Sequence, residues 1–63
     1  MNLVKWQALS KVFAERRGEG MAYKTIQSWQ ALGMPYVRQS SHRVFFDVEA
    51  CWQWYLEQFT VAA

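Results

Sequence analysis

Tyr23-Lys24-Thr25-Ile26-Gln27-Ser28-Trp29-Gln30-Ala31-Leu32-Gly33-Met34-Pro35 is the stretch on which the fold turns. Ala22, Ile26 and Trp29 recur at helical spacing and predict a buried stripe, which leaves Tyr23, Lys24, Gln27 and Ser28 on the opposite face. Gly33 can supply the left-handed residue that ends a helix, and Pro35, lacking a backbone donor, blocks its continuation. A short helix that presents Tyr, Lys, Gln and Ser outward suits the major groove of DNA, where Gln pairs with adenine and Lys with guanine or phosphate. The plainer reading is a solvated helix face, which most helices have. The flanking sequence decides between them.

Upstream, Trp6, Leu9 and Phe13, with Val12 beside them, predict an apolar helix face from about Trp6 to Glu15, with Lys5, Gln7, Lys11 and Glu15 in water. Arg16-Arg17-Gly18-Glu19-Gly20 breaks that pattern and reads as a loop. The second helix then opens near Met21 or Ala22, with Gly20 the best available N-cap. In such a loop Arg16 and Arg17 either grip phosphates or keep the turn soluble.

Downstream of Pro35 the period changes to alternation. Tyr36-Val37-Arg38-Gln39 and Arg43-Val44-Phe45-Phe46 pair as two short strands around Ser40-Ser41-His42, which would bring Arg38 and Arg43 together for gripping a backbone or entering a minor groove. Asp47 is a sound N-cap for a last helix, and Glu49 in its first turn complements the helix dipole. Val48, Cys51, Trp52, Tyr55, Leu56 and Phe59 follow at offsets 0, 3, 4, 7, 8 and 11, the strongest periodic signal in the chain. Trp54 lies off that stripe and offers either a contact for a second protein or a ring covered by the hairpin or the N-terminus.

Residues 1–63 make one domain near the lower limit for a self-sufficient core. Four Trp, three Tyr and four Phe compensate for that shortness, since each ring removes roughly 150 to 250 Å² from water. Cys51 is the only cysteine and His42 the only histidine, so neither a disulfide nor a metal site is expected, and no cofactor motif is present. No long apolar run or basic-then-apolar leader occurs, which points to a cytoplasmic protein. The net charge of +2 is unevenly placed. All seven basic residues fall at or before position 43 with only Glu15 and Glu19, 7 − 2 = +5, and Asp47, Glu49 and Glu57 make the remainder −3. Such polarity suits a chain that turns its first two-thirds toward a polyanion. An enzyme is not expected: there is no Gly-rich phosphate loop and no paired-carboxylate arrangement, and Cys51 lies on an apolar stripe far in sequence from His42.

Helix, loop, helix, hairpin, helix is the plan of a mainly α, α+β winged helix-turn-helix with three helices and a two-stranded wing. Thr25-Ile26-Gln27-x-Trp29-Gln30-x-x-Gly33-Met34-Pro35, then Arg38, then Val44-Phe45-Phe46-Asp47 and Trp54-Tyr55, resembles the N-terminal DNA-binding domain of lambda-type phage terminase small subunits over about two-thirds of the chain. Phage excisionases of the lambda type share the plan more distantly, with a Trp in the first helix and an Arg-rich loop after it. The terminase resemblance implies a dimeric domain that recognises packaging-site DNA. Tyr23, Lys24, Gln27 and Ser28 would then face the major groove, and Arg38 and Arg43 would be the wing residues. The loop at Arg16 to Gly20 is longer than that family's tight turn, which leans toward excisionases, and the wing is shorter and lacks the family's glycines.

Terminase small subunits continue into segments that bind the motor subunit. If residues 1–63 are the whole natural protein, the expectation is that it reads DNA without recruiting a motor by itself; otherwise they are expected to be the excised DNA-binding domain of a terminase small subunit. Three roles follow as expectations: packaging-site recognition, an excisionase or transcription regulator of a phage or mobile element in a bacterial host, and a protein that pairs with a terminase small subunit, around Trp54, to redirect or block packaging. Double-stranded DNA is the expected partner, bound as a homodimer or in a hetero-complex with a phage packaging or recombination protein. Phosphate contacts by Lys24, Arg38, Arg43, Arg16 and Arg17 predict that log affinity falls with log salt at a slope of roughly −4 per monomer, doubled for a dimer on half-sites about one helical turn apart.

Overall fold

The first helix, α1, spans Trp6–Arg17 in the computed structural model, which describes residues 3–59. It runs two residues beyond the expected Glu15, because nothing before Gly18 opposes the helix. Gly18 then stops it by adopting φ +82°, a left-handed conformation open to glycine, and its N–H donates to the Ala14 carbonyl. Arg16 and Arg17 therefore belong to the last helical turn, where cations complement the helix dipole, and not to the loop.

The helix α2 spans Tyr23–Leu32, opening slightly later than expected. Its N-cap is Ala22, without a side-chain cap, and not Gly20. The connection is anchored from α1 instead: the Ser10 hydroxyl donates to the Met21 carbonyl and accepts from the Met21 N–H, both at 2.9 Å. Gly20 is close to that contact, and a Cβ there would meet Ser10 Oγ at 3.1 Å. Ala22 is exposed at the helix start, so Met21 takes the core position that periodicity gave to Ala22. Gly33, at φ +120°, ends α2 as expected; its N–H bonds to the Gln30 carbonyl and that of Met34 to the Trp29 carbonyl.

Three strands form one antiparallel sheet: β1 (Leu3–Val4), β2 (Val37–Ser40) and β3 (Arg43–Asp47), in the order β1-β3-β2. The expected hairpin is present. The third strand is an addition, made by Leu3 opposite Asp47 and Val4 opposite Phe46, and two residues are too few to carry an alternation signal. From Asp47 the chain passes directly into α3 (Val48–Phe59), and Asp47 Oδ1 accepts from the N–H groups of Glu49 and Ala50 at 3.1 and 3.3 Å. The result is a small α+β fold with three helices and a three-stranded antiparallel sheet.

Leu9, Phe13, Met21, Ile26, Met34, Phe46 and Cys51 are the buried core, drawn from all three helices, the two connections flanking α2, and β3. Around Phe13 sits an aromatic cluster. Trp52 and Tyr55 meet its ring edge-on at 5.1 and 5.5 Å, and Trp29 packs on Tyr55 and Phe59 at 5.5 and 5.4 Å. Each such pair adds about 0.5 to 1.5 kcal/mol beyond the area it buries, which is how so short a chain closes a core.

Candidate nucleic-acid interface

An open groove lies between α2, the start of α1 and the β2–β3 hairpin. Tyr23, Gln27 and Gln30 line it from α2 at offsets 0, 4 and 7, one stripe of a helix. Lys24 and Ser28 are exposed but follow that stripe by one residue, about 100° further round, and so face open solvent next to the groove. Among the described residues none of the Tyr23, Lys24, Gln27 or Ser28 side chains makes a hydrogen bond within the chain. The Tyr23 ring is held by Trp6 at 5.3 Å, which fixes one wall of the groove.

Arg38 lines the opposite wall with Ser41 and His42, over a floor that includes Val44 and Phe46. Arg43 does not join it. Strand register pairs Val37 with Phe45, Arg38 with Val44 and Ser40 with Arg43, leaving Gln39 as an extra residue. Directly opposed residues share a face and successive residues alternate, so Arg38 shares the groove face with Val44 while Arg43 shares the other face with Phe45. The expectation that the two arginines stand together is thus corrected: the bulge at Gln39 restores alternation one residue out of step. The Arg38 guanidinium rests over the Tyr36 ring at 5.9 Å.

Arg16 and Arg17 are engaged elsewhere. Both Arg16 amino groups bond the Glu49 carboxylate, at 3.0 and 2.9 Å, and the guanidinium lies 5.4 Å from the Trp52 ring. These bonds hold the Glu49 carboxyl below its ordinary value and raise Arg16. The Arg17 guanidinium lies 5.3 Å from Tyr55 and 5.6 Å from Trp29, with Glu19 at 3.5 Å. Both therefore join the end of α1 to α3, whereas the groove takes in the beginning of α1, about 15 Å away along the helix. Trp54 is half-buried, its ring 6.0 Å from Trp29 and 5.9 Å from Phe59, and its Nε1 lies 3.7 Å from where a Gly33 Cβ would stand.

The groove adds Lys5, Gln7, Gln30, Ser41 and His42 to the expected residues. Gln30 was legible as the next member of the Tyr23–Gln27 stripe; the others come together only through tertiary packing. No Asp or Glu lines the groove. Among the described residues no group of three or more His, Cys, Asp or Glu could hold a metal ion, and no helix is long and apolar enough to cross a membrane. Cys51 is buried, donates to the Pro35 carbonyl at 3.3 Å, and is pushed up to about 12 by burial and by the charge of Asp47. No protein-family model matches the chain, and no curated protein matches it.

Proposed function

We propose that this chain is a winged helix-turn-helix protein of a phage or mobile element that binds double-stranded DNA, with α2 as recognition helix and the β2–β3 hairpin as wing. Packaging-site recognition of the terminase small-subunit type is the role its motifs favour. The observation that carries the reading is the pairing of an α2 face with free hydrogen-bonding side chains and a groove lined by Lys5 and Arg38 without a carboxylate. Gln27 can read adenine and Lys24 guanine or phosphate, while Arg38 and Arg43 supply charge without base preference. With Arg16 and Arg17 engaged against α3, Lys24, Arg38 and Arg43 are the contacts left from the expected set. The expected salt slope is then roughly −3 per bound copy.

A second reading, excisionase or transcription regulator, is favoured by the connection between α1 and α2, which occupies residues 18–22 where a helix-turn-helix uses a tight turn. A third, pairing with a packaging protein, draws on Leu32 and Phe59, exposed at the ends of α2 and α3 near Trp54. Selection of bound duplexes from a random pool, followed by a salt titration on the winner, tests all three. Paired half-sites about one turn apart support a packaging or regulatory site, and clustered sites an excisionase. No enrichment at low salt would overturn the DNA reading and leave the protein partner.

A further inference from the structure

The groove has more donors and cations than base reading by α2 requires, and they come from places that no single stretch of sequence connects. Lys5 precedes α1, Arg38 lies on β2, and His42 sits in the hairpin turn, yet all three line the same groove. Gln7, Gln30 and Ser41 add neutral polar groups between them. None of the chain's five acidic residues lines it, and the first turn of α1 beside Lys5 has no acidic residue either. A concave site with cations on two walls and no anion of its own is complementary to phosphate.

We propose that this groove seats one strand of the DNA backbone, with Lys5, Arg38 and His42 converging on phosphodiester oxygens, and that binding there takes up a proton on His42. The proposal rests on the DNA-binding reading and goes further, since it assigns Lys5 and His42 and makes affinity depend on pH. Histidine is the side chain that ordinarily changes charge between about pH 5 and 8. The titratable or charged groups that share the groove with His42 are Lys5, Tyr23 and Arg38, and Arg43 follows it in the chain. All are cations or a phenol. An imidazolium there finds its counter-charge in the bound phosphate, so DNA favours the protonated ring. Lys5 contributes a second positive charge to the same seat.

The test is fluorescence anisotropy of a labelled duplex at constant ionic strength, across pH and across salt, with wild type, Lys5→Gln, His42→Gln and Arg43→Gln. Wild-type affinity should rise roughly fivefold from about pH 8 to about pH 6, by uptake of up to one proton. His42→Gln should flatten that dependence while matching wild type within about twofold at the alkaline end. Lys5→Gln should reduce the salt slope by about 1 at every pH. Arg43→Gln, on the other face of the hairpin, should keep the full pH response. A His42→Gln protein with wild-type pH dependence, or a Lys5→Gln protein with an unchanged salt slope, would overturn the seat while leaving DNA binding intact. Wild type that binds no duplex at low salt would overturn the DNA reading itself. Matching thermal melts across the variants confirm that each compares folded protein, as expected for exposed positions.

Discussion

Gln27 is exposed, sits mid-helix on the stripe that faces the groove, and makes no hydrogen bond within the described residues. Its amide can therefore meet a base edge without first giving up an internal partner. Gln27→Ala should cost about 1 to 3 kcal/mol on the selected duplex and little on a scrambled one, while Arg38→Ala should weaken both alike. Equal losses for Gln27→Ala on the two duplexes would remove α2 as the reading element. Ser10 works at the same scale but for stability. Its hydroxyl satisfies both backbone groups of Met21 at 2.9 Å and makes the only side-chain hydrogen bonds to the backbone of the connection before α2 among the described residues. Ser10→Ala leaves two partly buried backbone groups unpaired and should destabilise by about 1 to 3 kcal/mol in chemical denaturation. A loss under about half a kcal/mol would show that water replaces the hydroxyl there.

The elements were legible where a period ran long enough. The α2 stop at Gly33 and the strands after Pro35 depend on local spacing and are present. The α3 stripe turns inward at Val48, Cys51, Trp52 and Tyr55, whereas its last members, Leu56 and Phe59, are exposed. Strand β1 was not legible, because two residues have no period, and the contacts of Arg16 with Glu49 and of Arg17 with Tyr55 were not, because those partners lie on α3, far along the chain. The candidate site divides the same way. Its α2 side follows from helical offsets, but Lys5 and His42 meet the groove only after the sheet closes, and one bulge at Gln39 decides which arginine faces it. The Arg16–Glu49 pair that joins α1 to α3 carries a pH signature. Glu49 is held below its ordinary 4.5 chiefly by the Arg16 hydrogen bonds. A depressed carboxyl stabilises the fold above the unfolded value, and that contribution is lost as pH falls through the folded one. Thermal melts of wild type and Glu49→Gln should therefore differ by a constant amount at neutral pH and converge in acid, below about pH 4.5. Curves that stay parallel into acid would show the pair contributes nothing.

At the scale of the whole molecule, one core joins all three helices and β3, and Cys51 lies inside it, fully buried against the Pro35 carbonyl. With the thiol pushed up to about 12, thiolate is scarce at ordinary pH, and the sulfur is out of reach until α3 leaves the core. Modification of Cys51 by an aromatic disulfide reagent should therefore report opening of the entire fold. The expected rate is roughly 10³-fold or more below that of the unfolded chain, matching a stability of about 4 kcal/mol or above. Its denaturant dependence should equal that of global unfolding; a shallower one would mean that α3 opens alone. Cys51 does not line the groove, so a bound duplex cannot shield it sterically from that side. Protection by DNA must then act through the folding equilibrium, and a duplex at 100 times its dissociation constant should slow labelling about 100-fold. Unchanged labelling at saturating duplex would mean that DNA holds the unfolded chain as well as the folded one, and that the groove is not what it recognises.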